Sequence, residues 1–265
     1  KQLVSAGGKY DLTELNDVPL PFAPEIKLTS VLAEKCHVFS SAMAPIRLSF
    51  QTNDPERDVF TIIFKIGDDL RQDQLIMQLI ILMDNLLKKE NLDMCLTPYL
   101  AMATSWSAGL IECVPNCRSV ASVLKRGTIQ DFFRRNHQHP TDPYGIDARV
   151  MDNFVKSCAG YCVITYILGI GDRHLDNVML RNTGHLFHID FGYFLGRDPK
   201  PWPPPMKLCK EMVEGMGGYH SEHYQKFKEH CVEAYNILRK QSNLIVNLFS
   251  LVTDSALPDI KNSRN

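Results

Sequence analysis

The stretch Gly169-Ile-Gly-Asp-Arg-His-Leu-Asp-Asn-Val-Met-Leu-Arg-Asn-Thr-Gly-His-Leu-Phe-His-Ile-Asp-Phe-Gly192 carries most of the chemistry in this sequence of 265 residues. Asn182-Thr183-Gly184 is a three-residue turn with glycine where a left-handed conformation falls, and strand-like runs flank it at 178–181 and 185–189. Antiparallel pairing about that turn sets residue 181 opposite 185, 177 opposite 189 and 176 opposite 190. Asn177 and Asp190 are then neighbours at the open end of one hairpin, roughly 5–6 Å apart at the backbone. An amide oxygen and a carboxylate oxygen that close suit a hard divalent cation that keeps water or phosphate ligands, as magnesium does. Either residue alone would more simply cap a turn; the pair points to a metal.

Upstream of this hairpin, Asp147 is an N-cap for a helix running to Leu168 and stopped by Gly169, apolar almost all round at its later end. A helical stretch from Ser122 to Arg135 is broken by Gly127. Two strand-like runs, Pro98 to Thr104 and Leu110 to Val114, precede it, joined through Ser105 to Gly109. Before them Leu75, Leu79, Leu82 and Leu86 recur at helical spacing, and a hairpin with a long polar loop is written by Ile46 to Gln51 and Val59 to Ile66. Residues 1–27, with Pro19, Pro21 and Pro24 and no apolar periodicity, read as a linker or the end of a preceding domain. Downstream come a Pro-rich segment, a glycine cluster at 215, 217 and 218, and helical patterning from Ser221 to Val252. The expected fold class is α+β: a small antiparallel-sheet lobe over 28–114 and a larger helical lobe over 115–265.

Twenty-nine Lys and Arg against 30 Asp and Glu give a net charge of -1, without the cationic excess of a nucleic-acid binder, so any anionic partner must be met locally. Forty-five per cent hydrophobic residues exclude a disordered chain. The eight cysteines show no Cys-x2-Cys spacing and read as free thiols of a reducing compartment. The longest charge-free run, 157–171, is too short to span a bilayer, and no signal-peptide pattern opens the chain at Lys1, so a soluble intracellular piece of a longer protein is expected. His220 and His223, two residues apart in a polar segment without further ligands, read as a surface feature.

Asp172-Arg173-His174, then Asn177, then Asp190-Phe191-Gly192 has the layout of a kinase catalytic loop and metal-binding loop, with the His-Arg-Asp order of protein kinases inverted. With Gly67-Asp68-Asp69-Leu70-Arg71-Gln72-Asp73 and Ser157 to Val163, the chain resembles the phosphatidylinositol 3-kinase catalytic domain from about residue 18 to 260. The segments Arg197 to Pro201 and Met212 to Gly218 are similar to class III, the vacuolar-sorting and autophagy type. The resemblance implies a bilobal protein-kinase-like fold, ATP with Mg2+ or Mn2+, and transfer of the gamma-phosphate to the 3-hydroxyl of phosphatidylinositol. It implies Lys65 on the ATP phosphates, Asp73 orienting it with Tyr99 nearby, Ser40, Ser41 and Ala42 as the phosphate-binding loop, and Glu112, Cys113 and Val114 as the adenine-binding hinge. Ile189 would line the nucleotide site, and Asn177 and Asp190 would hold the metal. His174 would accept the hydroxyl proton, a role suited to imidazole, whose unperturbed pKa of about 6.5 lies near neutrality, and Asp172 would share that role or orient it.

Arg197, Lys200, Lys207 and Lys210 would meet the lipid headgroup; they are dispersed, with Asp198 and Glu211 among them, which favours unphosphorylated phosphatidylinositol. Trp202 among the prolines would dip into a bilayer or pack on the prolines. The resemblance further implies a protein-kinase-like regulatory subunit and a Beclin-type subunit as partners, and a cytoplasmic enzyme peripheral on endosomal and autophagic membranes. A terminal membrane-contacting helix of class III has no counterpart in the helical patterning, which stops near Val252. Two other readings stand beside it: a protein Ser/Thr kinase of the phosphatidylinositol-3-kinase-like family, and a silent kinase-like scaffold, which the full set of Lys65, Asp172, His174, Asn177 and Asp190 disfavours.

Overall fold

The computed structural model describes residues 2, 4–9, 11–40, 43–55 and 57–252. Ser41, Ala42 and the stretch after Val252, where the sequence predicts no further helix, lie outside the described residues. The chain divides into two compact units, Lys1–Met77 with Tyr99–Val114, and Gln78–Pro98 with Pro115–Asn265. Antiparallel sheet and helices make it an α+β protein, as the pattern of alternation followed by helical periodicity predicts.

In the first unit, β1 (Val18–Leu20), β2 (Ala23–Val31), β3 (His37–Val38), β4 (Ile46–Thr52), β5 (Val59–Ile66), β6 (Ala101–Ser105) and β7 (Ala108–Glu112) form one antiparallel sheet. Its order is β1-β2-β4-β5-β7-β6, with β3 also paired to β4. Residues 1–27 were expected as a linker, yet β1 and the start of β2 lie within that range, and Leu20, Ala23 and Ile26 are buried in the same core as Phe50, Phe60 and Ile62. The prolines hid them. Pro19 sits on the edge strand and Pro24 at the beginning of its neighbour, positions where a missing ladder N–H costs little. Deeper in the sheet the register pairs Ser49 with Thr61, and their hydroxyls meet at 3.0 Å, so the buried Ser49 hydroxyl is satisfied by its neighbour. The last hairpin is tighter than its five-residue linker suggested: only Trp106 and Ser107 separate β6 from β7, with a bulge at Ala103/Ser105, and the Arg71 guanidinium stacks 3.8 Å over the Trp106 ring.

Helix α1 (Arg71–Lys89) buries Ile76, Ile80, Met83 and Leu87, one residue on from the leucine series that announced it. Its apolar positions cover more than one face, so the leucines identify a helix without choosing which stripe is innermost. The second unit is built on α4 (Ala148–Ile167), capped by the Asp147 carboxylate accepting from the Arg149 N–H and ending at Leu168. Around it lie β8 (Cys117–Ser119), α2 (Val120–Leu124), α3 (Ile129–Asn136), β9 (Val178–Arg181), β10 (Leu186–His188), α5 (Lys210–Gly215), α6 (Glu222–Lys240) and α7 (Ser242–Val252). β8, β9 and β10 pair antiparallel, with β9 central. Short β8 and α5, and the break between α6 and α7 at Gln241, leave too little periodicity to be read in sequence.

All eight cysteines are free thiols. Cys158 is wholly buried on α4, and burial pushes its thiol well above the ordinary range, as it pushes Cys231 up to about 12. These are packing groups, not nucleophiles. Among the described residues no helix is long and apolar enough to cross a membrane.

One side chain fastens α4 to the hairpin. Ser157, fully buried, donates its hydroxyl to the Asn153 carbonyl at 2.6 Å and accepts from the Leu186 N–H at 2.9 Å. Ser157→Ala leaves that buried N–H without a partner, and chemical denaturation followed by circular dichroism should record a loss of about 1–3 kcal/mol.

Candidate active site

The hairpin folds in the register that its turn demands. Leu186 pairs with Leu180, Phe187 with Met179 and His188 with Val178, the Arg181 N–H donates to His185 at 2.8 Å, and the Ile189 N–H donates to Asn177 at 3.0 Å. Asn177 and Asp190 therefore stand at the open end of one ladder. The turn closes through the Gly184 N–H on the Arg181 carbonyl at 3.1 Å, with Gly184 at φ +93. A Cβ there would overlap the Val150 carbonyl, so glycine serves both the turn and its seat on α4, where the Asn153 amide also holds the Thr183 carbonyl at 2.9 Å.

From Asp172 to Asn177 the chain forms a loop held by Arg173. This arginine, 7% exposed, donates to the Gly171 carbonyl at 2.7 Å, the Ile189 carbonyl at 2.8 Å and the Asp190 carbonyl, and lies over the Phe191 ring. Both acids it brackets are left-handed, Asp172 at φ 51 and Asp190 at φ 60. Each such conformation costs about 1–3 kcal/mol in a non-glycine residue. Bonds from a charged donor contribute about 1.5–3 kcal/mol apiece, so the three from Arg173 are sufficient to hold them. Sequence reasoning assigned Arg173 no role; its signal was a charged residue enclosed between two chemical ones.

His174 is exposed, and its Nε2 lies 3.9 Å from Asp172 Oδ2, an electrostatic pairing beyond hydrogen-bond length. Asn177, expected as a metal ligand, is buried at 6% exposure; its Nδ2 donates to the Asp172 carbonyl at 3.2 Å, which turns its Oδ1 to the other side. The Asn177 Oδ1 and the exposed Asp190 carboxylate are a hard-oxygen pair that fits a magnesium-like ion completed by water or phosphate oxygens. Among the described residues no group of three or more His, Cys, Asp or Glu side chains could hold a metal unaided. His188, two residues before Asp190, is stacked flat on Tyr161 with ring centroids 5.3 Å apart; burial, with Arg173 and Lys207 nearby, holds its imidazole neutral, well below the usual histidine range.

In the first unit Lys65 lies on β5 opposite Gly109, and its ammonium bonds Asp68 at 2.9 Å, a partner the sequence did not single out. Asp73 is buried in the first turn of α1 and Tyr99 is buried as well. Of the expected phosphate loop only Ser40 is described, and it is exposed beyond β3. Of the expected hinge, the Glu112 N–H is spent on the Leu100 carbonyl at 2.8 Å and the Cys113 N–H on the Thr61 carbonyl at 2.9 Å. Those two N–H groups cannot also serve a purine. The Glu112 carboxylate accepts from the Leu100 N–H at 3.0 Å and so belongs to the sheet. Ile189 is half-buried between its two backbone bonds.

The four expected headgroup cations have separate surroundings. Lys210 pairs with Glu214 at 3.4 Å, the Arg197 guanidinium lies 6.0 Å over Tyr193, Lys200 is exposed, and the Lys207 carbonyl accepts from the Cys162 thiol at 3.4 Å. Trp202 is 91% exposed and does not pack on the prolines. His223 packs on Tyr144 with centroids 5.7 Å apart, and His220 is exposed, as surface residues.

The family model described as phosphatidylinositol 3- and 4-kinase matches residues 59–129 and 125–262. A soybean protein named phosphatidylinositol 3-kinase, root isoform, is 55% identical over 262 residues, 98% of this chain and 32% of its own length. The Arabidopsis thaliana phosphatidylinositol 3-kinase VPS34 is 55% identical over 241 residues, 91% of this chain and 29% of its own. Phosphatidylinositol 3-kinase pik3 of Schizosaccharomyces pombe is 52% identical over 260 residues, 96% of this chain and 32% of its own. The chain thus spans about a third of the length of the curated relatives it matches. A loop and hairpin that bring Asp172, His174, Asn177 and Asp190 together, inside a match that runs nearly end to end, identify the chain as a member of the phosphatidylinositol 3- and 4-kinase family.

Proposed function

We propose that this chain is the catalytic part of a class III phosphatidylinositol 3-kinase, transferring the gamma-phosphate of ATP to the 3-hydroxyl of phosphatidylinositol. The single observation that carries this is the hairpin register that stands Asn177 beside Asp190, with the Asp172-Arg173-His174 loop tied to it through Arg173. The names of these three relatives, each a phosphatidylinositol 3-kinase, favour lipid over protein as acceptor. In this reading the two units are the lobes of a bilobal kinase, and the enzyme works peripherally on endosomal and autophagic membranes with a protein-kinase-like subunit and a Beclin-type subunit.

Asn177 Oδ1 and the Asp190 carboxylate would hold the divalent ion, magnesium or manganese, whose chemistry is to neutralise phosphate charge as it shifts during transfer. Lys65 supplies a second cation toward the ATP phosphates, exchanging its bond to Asp68 for them. His174, exposed and with Asp172 Oδ2 3.9 Å from its Nε2, accepts the proton of the inositol hydroxyl as that oxygen bonds the gamma-phosphorus and the bond from the phosphorus to the bridging oxygen breaks to release ADP; the carboxylate stabilises the imidazolium. Such a site works by positioning and charge stabilisation, with little covalent chemistry asked of the protein.

Asp190→Asn tests the assignment without backbone side effects, because asparagine tolerates the left-handed conformation found here. Lipid phosphorylation by the whole protein should fall at least about 10²–10³-fold, with the thermal midpoint unchanged. Near wild-type rates would refute the metal assignment. Presenting a serine peptide in place of lipid should give no product above background, and efficient peptide phosphorylation would move the protein to the protein-kinase branch.

Headgroup choice follows from the scattered cations. Each extra ring phosphate wants at least one free cation, and Lys210 is already engaged by Glu214. Vesicles carrying phosphatidylinositol should be phosphorylated at least about tenfold faster than matched vesicles carrying its 4,5-bisphosphate. Equal rates on the two would contradict the class III assignment and leave the kinase one standing.

A further inference from the structure

The chain that follows Asp190-Phe191-Gly192 runs back along the segment leading into the Asp172-Arg173-His174 loop. Three backbone bonds form the seam: the Leu195 N–H to Leu168 at 3.0 Å, the Gly196 N–H to Gly169 at 2.9 Å and the Gly171 N–H to Tyr193 at 3.0 Å. Gly171 makes the approach possible, since a Cβ there would overlap the Arg197 carbonyl and lie 3.0 Å from Asp198 Cα. Beyond Gly171 one side chain carries the seam further. The Asp198 Oδ2 accepts from the Asp172 N–H at 2.7 Å, and its Oδ1 accepts from the Lys200 N–H at 2.8 Å.

We infer that Asp198 is a positioning residue, a two-sided clip that fixes the backbone of Asp172 and the turn at Lys200 in one piece, so that engagement of acceptor at that turn sets the geometry of the loop bearing His174. The inference deepens the phosphotransfer reading above and rests on it. Its chemistry follows from the two oxygens. The bond to Lys200 is an Asx turn, two residues along the chain, which a serine hydroxyl can also make. The bond to Asp172 reaches across 26 residues of sequence and requires the longer carboxylate. It holds Asp172 at φ 51, a conformation the backbone does not favour, from the side opposite to Arg173's grip on Gly171 and the 189–190 carbonyls. A displacement of the Lys200 turn therefore reaches Asp172 directly. Neither Arg197 nor Lys200 needs to touch the reacting atoms for this to matter, since misplacement by about 1 Å can cost about 10²-fold in rate.

Two substitutions separate the halves of the clip. Asp198→Ser retains the Lys200 turn and loses the reach to Asp172, whereas Asp198→Ala loses both. In the whole protein on phosphatidylinositol vesicles, both variants should lower kcat at least about tenfold while KM for ATP stays within about twofold. Amide hydrogen exchange gives the readout that does not depend on activity: exchange at Asp172 should accelerate in both variants, and at Lys200 only in Asp198→Ala. Unchanged exchange at Asp172 in Asp198→Ser would overturn the clip itself. Accelerated exchange with wild-type kcat would overturn its part in turnover. A wild-type protein that phosphorylates no lipid would refute the function proposed above and the catalytic role with it, while the exchange rates would still decide whether the clip exists.

Discussion

A buried guanidinium is affordable only if its hydrogens find acceptors, because an uncompensated charge inside a protein costs several kcal/mol. Arg173 meets that requirement with main-chain carbonyls from both sides of the site, Gly171 on its own loop and Ile189 with Asp190 at the end of the hairpin. The need to satisfy one cation thereby fixes the separation of two segments that sequence holds 16 or 17 residues apart. Everything chemical in the second unit hangs on that separation: the left-handed turns at Asp172 and Asp190, the orientation of the Asn177 amide, and the seam along Gly169 and Gly171. A lysine, with one nitrogen at the end of a flexible stem, has no fork with which to span three carbonyls.

What the sequence makes legible is the part governed by local rules. A three-residue turn with glycine in third place dictates a register, and that register alone sets Asn177 near Asp190. Asp147 and Gly169 bound α4 because capping is decided within a turn of helix. The adjacency of the expected metal ligands was readable on these grounds. The strand pairing of residues 18–27 was not, since prolines carry the same signature in a linker as on a sheet edge.

Less legible are the side chains whose partners lie far along the chain or compete locally. Ser157 looks like one more small residue in an apolar helix until the Leu186 N–H arrives beside it. Lys65 has acids at 68, 69 and 73 within reach of a bend in the chain, and spacing does not point to the bond its ammonium makes with Asp68 at 2.9 Å. Glu112 accepts the Leu100 N–H with its carboxylate and steadies the sheet, a bond no spacing announces. Asp198 looked like one negative charge diluting a basic segment, whereas its oxygens are both taken by backbone donors. In each case the residue type was conspicuous and its bond was not.

The placement of the indoles has an optical consequence. The chain has two tryptophans, Trp106 in the first unit and Trp202 in the second, 67% and 91% exposed, and neither contributes to a core. Trp106 lies under the Arg71 guanidinium, while Trp202 stands among prolines in water. Emission from the native protein is therefore already that of hydrated indole, and melting the core around Tyr161 and Phe154 removes little shielding from either fluorophore. The same arrangement makes Trp202 a native local probe: any surface that settles onto the Pro-rich segment, a bilayer or another subunit, would shift its emission toward the blue while Trp106 stays as a constant background.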